Sequence, residues 1–284
     1  MIEFVGANQW NTIDNFFAAI QLYSPTGWSI LPDQNLNLTY FGQTINRTMK
    51  KLKHINSGWT LCFLKFYIFD TEVSIITLSD NDNYTENISN LPLFPFDIQI
   101  PISNIYYSTI KRIYHYNDAI ILVDTFPTGA ISRDNNLRSN FPTILYFANI
   151  NAADGNWAIL FNDLTFSWLG YDGRNILVGN KNTNPATYYH NCRNTDGFYP
   201  LFSEKIQNVY HQVSIGRESF ENDIIVSDVR VKIKSINKTF TLPYIKFFQS
   251  STPLDNGVII DIGGVKYHIY RSKYNNNAYF AIQI

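Results

Sequence analysis

Four aspartates lie close in sequence to three large aromatic residues. Asp154, Asp163, Asp172 and Asp196 accompany Trp157, Trp168 and Tyr171. A pair of carboxylates flanking a sugar ring can run acid–base glycoside chemistry, so this set outlines a carbohydrate cleft. Aspartate is also the ordinary residue of turns, where its side chain bonds its own backbone. Turn aspartates beside core aromatics are the commoner arrangement.

Metal chemistry has two candidates. In YYHNC, His190 and Cys192 are two ligand types that zinc accepts, and His211 follows downstream. Zinc sites use paired ligands at short spacing, twice over, and the second pair is missing here. The run DNDNYTE from Asp80 alternates like a calcium loop. It lacks the glycine at the sixth position and the glutamate at the twelfth. An exposed loop histidine beside a buried thiol, and a polar turn, are the expectations; no metal or cofactor is assigned.

Nucleophilic and nucleotide chemistry find no anchor. There is no G-x-S-x-G elbow, no phosphate-binding P-loop and no G-x-G-x-x-G. No catalytic residue is assigned, and the chain is not expected to be an enzyme. The one dense basic cluster is Arg47, Lys50, Lys51 and Lys53. Ile45, Met49 and Leu52 are spaced for one helix face, which predicts a helix over 44–55 with the cations opposite. Such a face is usually solvated. It also suits an acidic neighbour or a phosphate backbone. With a net charge of −1 for the whole chain, nucleic acid is not the expected main partner.

The elements that must position these residues are mostly strands. Trp10, Ile13, Phe17 and Ile20 predict an N-terminal helix that Pro25 and Gly27 stop. After the second predicted helix, apolar runs such as GWTLCFLKFYIF, EVSIITL, AIILVD, TILYFANI and WAILFND are bounded by Asn, Asp, Gly or Pro. That pattern predicts a mainly β protein with antiparallel sandwich or barrel-like domains and one or two short N-terminal helices. A β-rich unit is expected over 1–170, a loop-rich connection over 171–222, and an antiparallel unit of about five strands over 223–284. In the last unit Val229, Val231 and Ile233 alternate with Arg230, Lys232 and Lys234. Gly263-Gly264 then joins two strands as a hairpin turn.

The 284 residues are 45% hydrophobic and only 16% charged, against about 25% charged in ordinary domains. Tyr (19) and Phe (21) are abundant, so aromatic surface is available for contacts. Cys62 and Cys192 are expected to be reduced and mostly buried. The first thirty residues lack a basic segment before an apolar one, and no uninterrupted apolar stretch has the length of a membrane helix, so neither a secretory signal nor a membrane span is expected. The Asn-x-Ser/Thr triplets at Asn37, Asn46, Asn83, Asn87 and Asn237 are what chance gives in a chain this rich in Asn and Thr.

The closing stretch NGVIIDIGGVKYHIYRS…NNNAYFAIQI resembles the final hairpins of tail and other virion structural proteins of bacteriophages. The resemblance covers about thirty residues, or sixty with DVRVKIKSINKTFTLPYIKFF. It implies a non-enzymatic β-rich subunit of a tail, baseplate, neck or head, held by other virion subunits, often as a homo-oligomer. Such a protein would assemble in the host cytoplasm and reside in the virion. The expected interface residues are Trp10 and Phe17 of the first helix, Tyr188, Tyr189 and Tyr199 of the polar region, and Tyr274, Tyr279 and Phe280 of the tail. The face carrying Lys266, His268 and Tyr270 is expected to lie against a neighbouring subunit. Two further readings stand beside this one: a carbohydrate-binding receptor-recognition module, and a hydrolase of cell-wall polysaccharide.

Overall fold

The computed structural model describes residues 1–7, 12–40, 43–68, 71–84, 108–125, 143–163, 174–182, 186–190, 198–200, 225–233, 236–250, 252–271 and 278–284. In chain order the elements begin with β1 (Ile2–Ala7), α1 (Thr12–Tyr23), β2 (Trp28–Tyr40), β3 (Gln43–His54), β4 (Thr60–Ile68) and β5 (Thr71–Ser79). Next come β6 (Ser108–His115), β7 (Ala119–Thr125), β8 (Thr143–Ala152), β9 (Gly155–Asp163), β10 (Arg174–Asn180), β11 (Thr187–His190) and β12 (Phe198–Pro200). The chain closes with β13 (Ile225–Ile233), β14 (Lys238–Gln249), β15 (Val258–Ile262), β16 (Val265–Arg271) and β17 (Ala278–Gln283). Among the described residues the protein is mainly β and antiparallel with one short helix, as its turn-bounded apolar runs predict.

Three sheets form. The central one has the order β1-β6-β7-β8-β9-β10-β11, a second has β12-β13-β14-β17-β16-β15, and a third has β2-β3-β4-β5. The central sheet is covered on both faces. Along β7, Ile120 and Leu122 join one core, and Ala119, Ile121 and Val123 join the other. Along β8, Leu145 and Phe147 face the first core, and Ile144, Tyr146 and Ala148 face the second. Strands buried on both sides need apolar residues at every position. This is why AIILV and TILYFA read as continuous runs without alternation.

The first core lies between the central sheet and the β2–β5 sheet with α1. It holds Phe17 and Ile20 of the helix, Trp28, Leu52, Trp59, Leu61, Phe63 and Leu78. The second lies between the central sheet and the C-terminal sheet, whose Val229, Val231, Ile233, Phe240, Leu242, Ile245, Tyr270, Phe280 and Ile282 supply its other wall. The fold is therefore a three-layer sandwich. Each fully buried Leu, Ile or Phe contributes about 1.5–3 kcal/mol of transfer free energy. Packing is close enough to dictate residue type at Gly179. A Cβ there would overlap the Trp59 indole.

Two expectations need correction. Residues 43–54 form strand β3, not a helix, paired with β2 on one side and β4 on the other. Leu52 and His54 point to the first core, while Met49 and Lys51 on the opposite face are also buried. With both faces covered, the strand shows no two-residue alternation. The apolar spacing of three and four is incidental. Within 171–222, Arg174–Asn180 and Thr187–His190 are strands of the central sheet, so that region is not simply a loop-rich connection. The α1 helix ends as predicted: Ser24 adopts a φ of 39° before Pro25, and its N–H bonds the Ile20 carbonyl at 2.8 Å.

Candidate functional site

The polar groups of the described residues concentrate around one hairpin turn, Tyr116-Asn117-Asp118, between β6 and β7. On one side stands the β3–β4 turn. His54 is buried against the Trp28 ring, centroids 5.0 Å apart. Its Nε2 lies 2.8 Å from the Asn117 carbonyl oxygen, which only accepts, so Nε2 carries the proton. Nδ1 is then the acceptor, and it takes the Ser57 hydroxyl at 2.7 Å. Trp28 reaches the same turn, donating from Nε1 to the Tyr116 carbonyl at 2.8 Å. Burial lowers the His54 pKa below its ordinary value, against the hydrogen bond to Asn117 and the charge of Asp118.

Ser57, His54 and the Asn117 carbonyl have the connectivity of nucleophile, base and orienting group. The environment does not match that role. The Ser57 hydroxyl is buried and also accepts the Trp59 backbone N–H at 3.2 Å. The Ser57 carbonyl takes the Asn156 amide at 3.2 Å and the Lys181 ammonium at 3.3 Å. The set locks a turn and fastens it to two neighbouring turns.

On the other side of Tyr116-Asn117-Asp118 stands the C-terminal sheet. Tyr116 and Tyr244 stack in parallel, centroids 3.8 Å apart. The Tyr116 hydroxyl donates to the Gln283 carbonyl at 2.5 Å, and the Tyr244 hydroxyl to Asp118 Oδ1 at 2.7 Å. Burial, helped by the Asp118 carboxylate, pushes the Tyr244 phenol up to about 12. Tyr244 adopts a φ of 62°, a conformation costly for a bulky residue and held here by the stack and the carboxylate. Deeper between the sheets, the Tyr114 hydroxyl meets His268 Nδ1 at 2.7 Å and the Tyr270 hydroxyl, to which Arg112 donates at 3.0 Å. Burial raises the Tyr114, Tyr116 and Tyr146 phenols well above their usual range, so all three stay neutral donors.

No protein-family model, curated protein or solved structure matches this chain.

The residues singled out in the sequence are dispersed. Asp154 is held by Lys238 through both carboxylate oxygens and by Trp157 Nε1 at 3.2 Å, and the Lys238 bond holds its pKa down. Trp157 is buried in the second core against Phe240. That carboxylate is paired at the surface, and that indole is covered and presents no face to a sugar ring. Asp163 ends β9; Trp168, Tyr171, Asp172 and Asp196 lie outside the described residues. His190 closes β11, while Cys192 and His211 lie outside the described residues. No group of three metal-ligating side chains occurs among the described residues. The calcium-like run closes instead on lysine: Lys51 donates to the Asp82 carbonyl at 2.7 Å and to Asn83 Oδ1 at 3.0 Å.

The expected interface residues also divide. Phe17 is buried edge-on to Phe63 at 5.2 Å, Tyr279 packs against Phe248, and Phe280 lies in the second core. These three are interior: Phe17 lies on the core face of α1, whose other face is exposed, and β17 is flanked by β14 and β16. Tyr188 and Tyr189 lie on β11 opposite Gly179 and Val178, and Tyr199 lies on β12 opposite Lys232. Trp10 and Tyr274 lie outside the described residues. The face of β16 expected to meet a neighbour has its partner within the chain: His268 and Tyr270 are buried against Tyr114 of β6, and only Lys266 stays exposed. The turn 116–118 and its partners were missed in the sequence. Its signal was HINSGW at 54–59 and YHYND at 114–118: polar, turn-forming residues set among large aromatics.

Proposed function

We propose that this chain is a structural subunit of a bacteriophage particle, in its tail, baseplate or neck, and that it acts through contacts with neighbouring subunits. The observation that carries the reading is the place of the segment that resembles phage virion proteins. Val258–Ile262, Val265–Arg271 and Ala278–Gln283 form β15, β16 and β17, and β15 ends the C-terminal sheet with no described strand beyond it. Among the described residues, the buried polar side chains around the 116–118 turn and Tyr114 join the central sheet to the outer two. An unpaired edge strand offers main-chain groups to a neighbouring chain, which suits a role made of subunit contacts. In this reading the chain carries no catalysis, its partners are other virion subunits, and it reaches the particle from the host cytoplasm. No helix among the described residues is long and apolar enough to cross a membrane.

Mass spectrometry of purified particles from the encoding phage tests this directly. The expected result is peptides of this chain at a fixed ratio to the other tail proteins. Their absence from intact, infectious particles overturns the reading.

A further inference from the structure

Strand β15 is the last strand of the C-terminal sheet, with β16 on one side and no described strand on the other. Its sequence is VIIDI, and Val258 and Ile259 are 37% and 54% exposed. Edge strands that stay single are usually blunted by proline, lysine or a bulge. The β2 edge of this protein shows such a device, with Pro32 and a register shift between Leu31 and Gln34. β15 has no proline, lysine or register shift, and the one charge on its five residues is Asp261.

Backbone geometry says which groups the edge offers. Gly263 and Gly264 have φ of 61° and 84°, the two positive values of a type I′ turn. In such a hairpin the flanking pair Ile262 and Val265 exchange hydrogen bonds. Ile262 and Ile260 therefore direct their N–H and C=O groups to β16; at the start of the strand the Gly257 N–H donates to the Ile269 carbonyl at 2.7 Å and the Val258 N–H to the Asp255 carbonyl at 3.4 Å. Ile259 and Asp261, the alternate residues, direct theirs to the open edge.

We propose that this edge pairs with the same edge of a second copy, antiparallel about a two-fold axis at Ile260. Only registers that set outward residues opposite outward residues can form bonds. Centring on Asp261 puts two carboxylates opposite each other, which is repulsive. Centring on Ile259 sets Asp261 opposite Gly257, outside the strand. Centring on Ile260 pairs Ile259 with Asp261 of the other copy twice over. It also aligns Val258 with Ile262 and Ile260 with its own counterpart on the opposite face, a run of β-branched cross-strand contacts. Each Asp261 keeps Lys266 of its own chain as its cross-strand neighbour, so no like charges face each other. The partner is a second copy because the strand is complementary to itself.

The pairing gives the proposed assembly a specific contact and rests on that reading for its purpose. Native mass spectrometry and light scattering of the full chain test it through two substitutions at the same exposed residue. Ile259→Asp sets two carboxylates opposite each other in both symmetric rows, and about a tenfold weaker dimer is expected. Ile259→Lys sets an ammonium opposite Asp261 of the other copy, and the dimer is expected to persist. Matched thermal melts of the two variants show that both are folded. A wild-type chain that stays monomeric at high concentration overturns the pairing. So does equal loss of the dimer in both variants, or an oligomer indifferent to either. A dimer with this charge signature from a chain missing from particles leaves the pairing standing and removes only the virion reading.

Discussion

At the level of single residues, His54 carries the clearest consequence. Its neutral form is built into the fold: Nε2–H donates to Asn117, and Nδ1 accepts from Ser57. Burial lowers its folded-state pKa below the ordinary 6.5. The unfolded chain thus takes up the proton first as pH falls. The contribution of His54 to stability is complete above about pH 6.5 and is lost progressively as pH falls through its lowered folded value. His115, also lowered by burial, acts in the same direction. Urea unfolding between pH 5 and 8 should show stability falling below pH 6.5. His54→Gln should flatten that fall in part, since it has no proton to take up. An unchanged slope in the variant would show that His54 does not set it. No reading of the sequence singled out His54, because its partners Asn117 and Trp28 are distant in the chain and only the fold joins them.

At the level of elements, β3 shows how far periodicity carries and where it stops. Helix α1 was legible because one face is apolar and a Pro-Gly stop follows. The central strands were legible as uninterrupted apolar runs. β3 was not legible, because its four basic residues imply a solvated face, while the strand places Lys51 inside. Lys51 is 3% exposed and clamps the 80–83 turn through Asp82 and Asn83, whereas Lys53, two residues on, reaches the Asp82 carboxylate at the surface. The two lysines should therefore behave differently. Lys51→Met removes two hydrogen bonds donated by a buried ammonium to the 82–83 turn, and about 1–3 kcal/mol of stability should be lost. Lys53→Met removes a half-exposed pair worth at most about 1 kcal/mol. Chemical denaturation of both variants compares them, and equal losses would place the two ammonium groups in the same environment. The same covering of both faces hid the tail. The alternation and the Gly-Gly turn in residues 255–284 mark its strands correctly, yet the face of His268 and Tyr270 lies on β6 and not on another molecule.

For the whole molecule, the shared central sheet sets the cooperativity. A division at about residue 170 or 223 was a reasonable reading of composition, since the polar stretch between separates two runs of strands. The packing does not follow that line. β7, β8, β9 and β10 give alternate residues to the first core and to the second, so neither core has both walls without them. The turn at Tyr116-Asn117-Asp118 adds polar ties to both outer layers, through Trp28 and His54 on one side and Tyr244 and Gln283 on the other. A chain of this length often unfolds in steps. Here the loss of either outer sheet would bare one full apolar face of the central one, so the steps should merge. Trp28 and Trp59 report on the first core and Trp157 on the second. Fluorescence-monitored urea unfolding of a variant with Trp10, Trp157 and Trp168 all changed to Phe, which leaves only the first-core indoles, should share its midpoint with circular dichroism on the same variant. A second variant, with Trp10, Trp28, Trp59 and Trp168 all changed to Phe, keeps only the second-core indole and should show the same coincidence between its two probes. A fluorescence transition displaced from the loss of strand signal in either variant would show that one layer melts alone. It would also restore the C-terminal sheet as an independent unit.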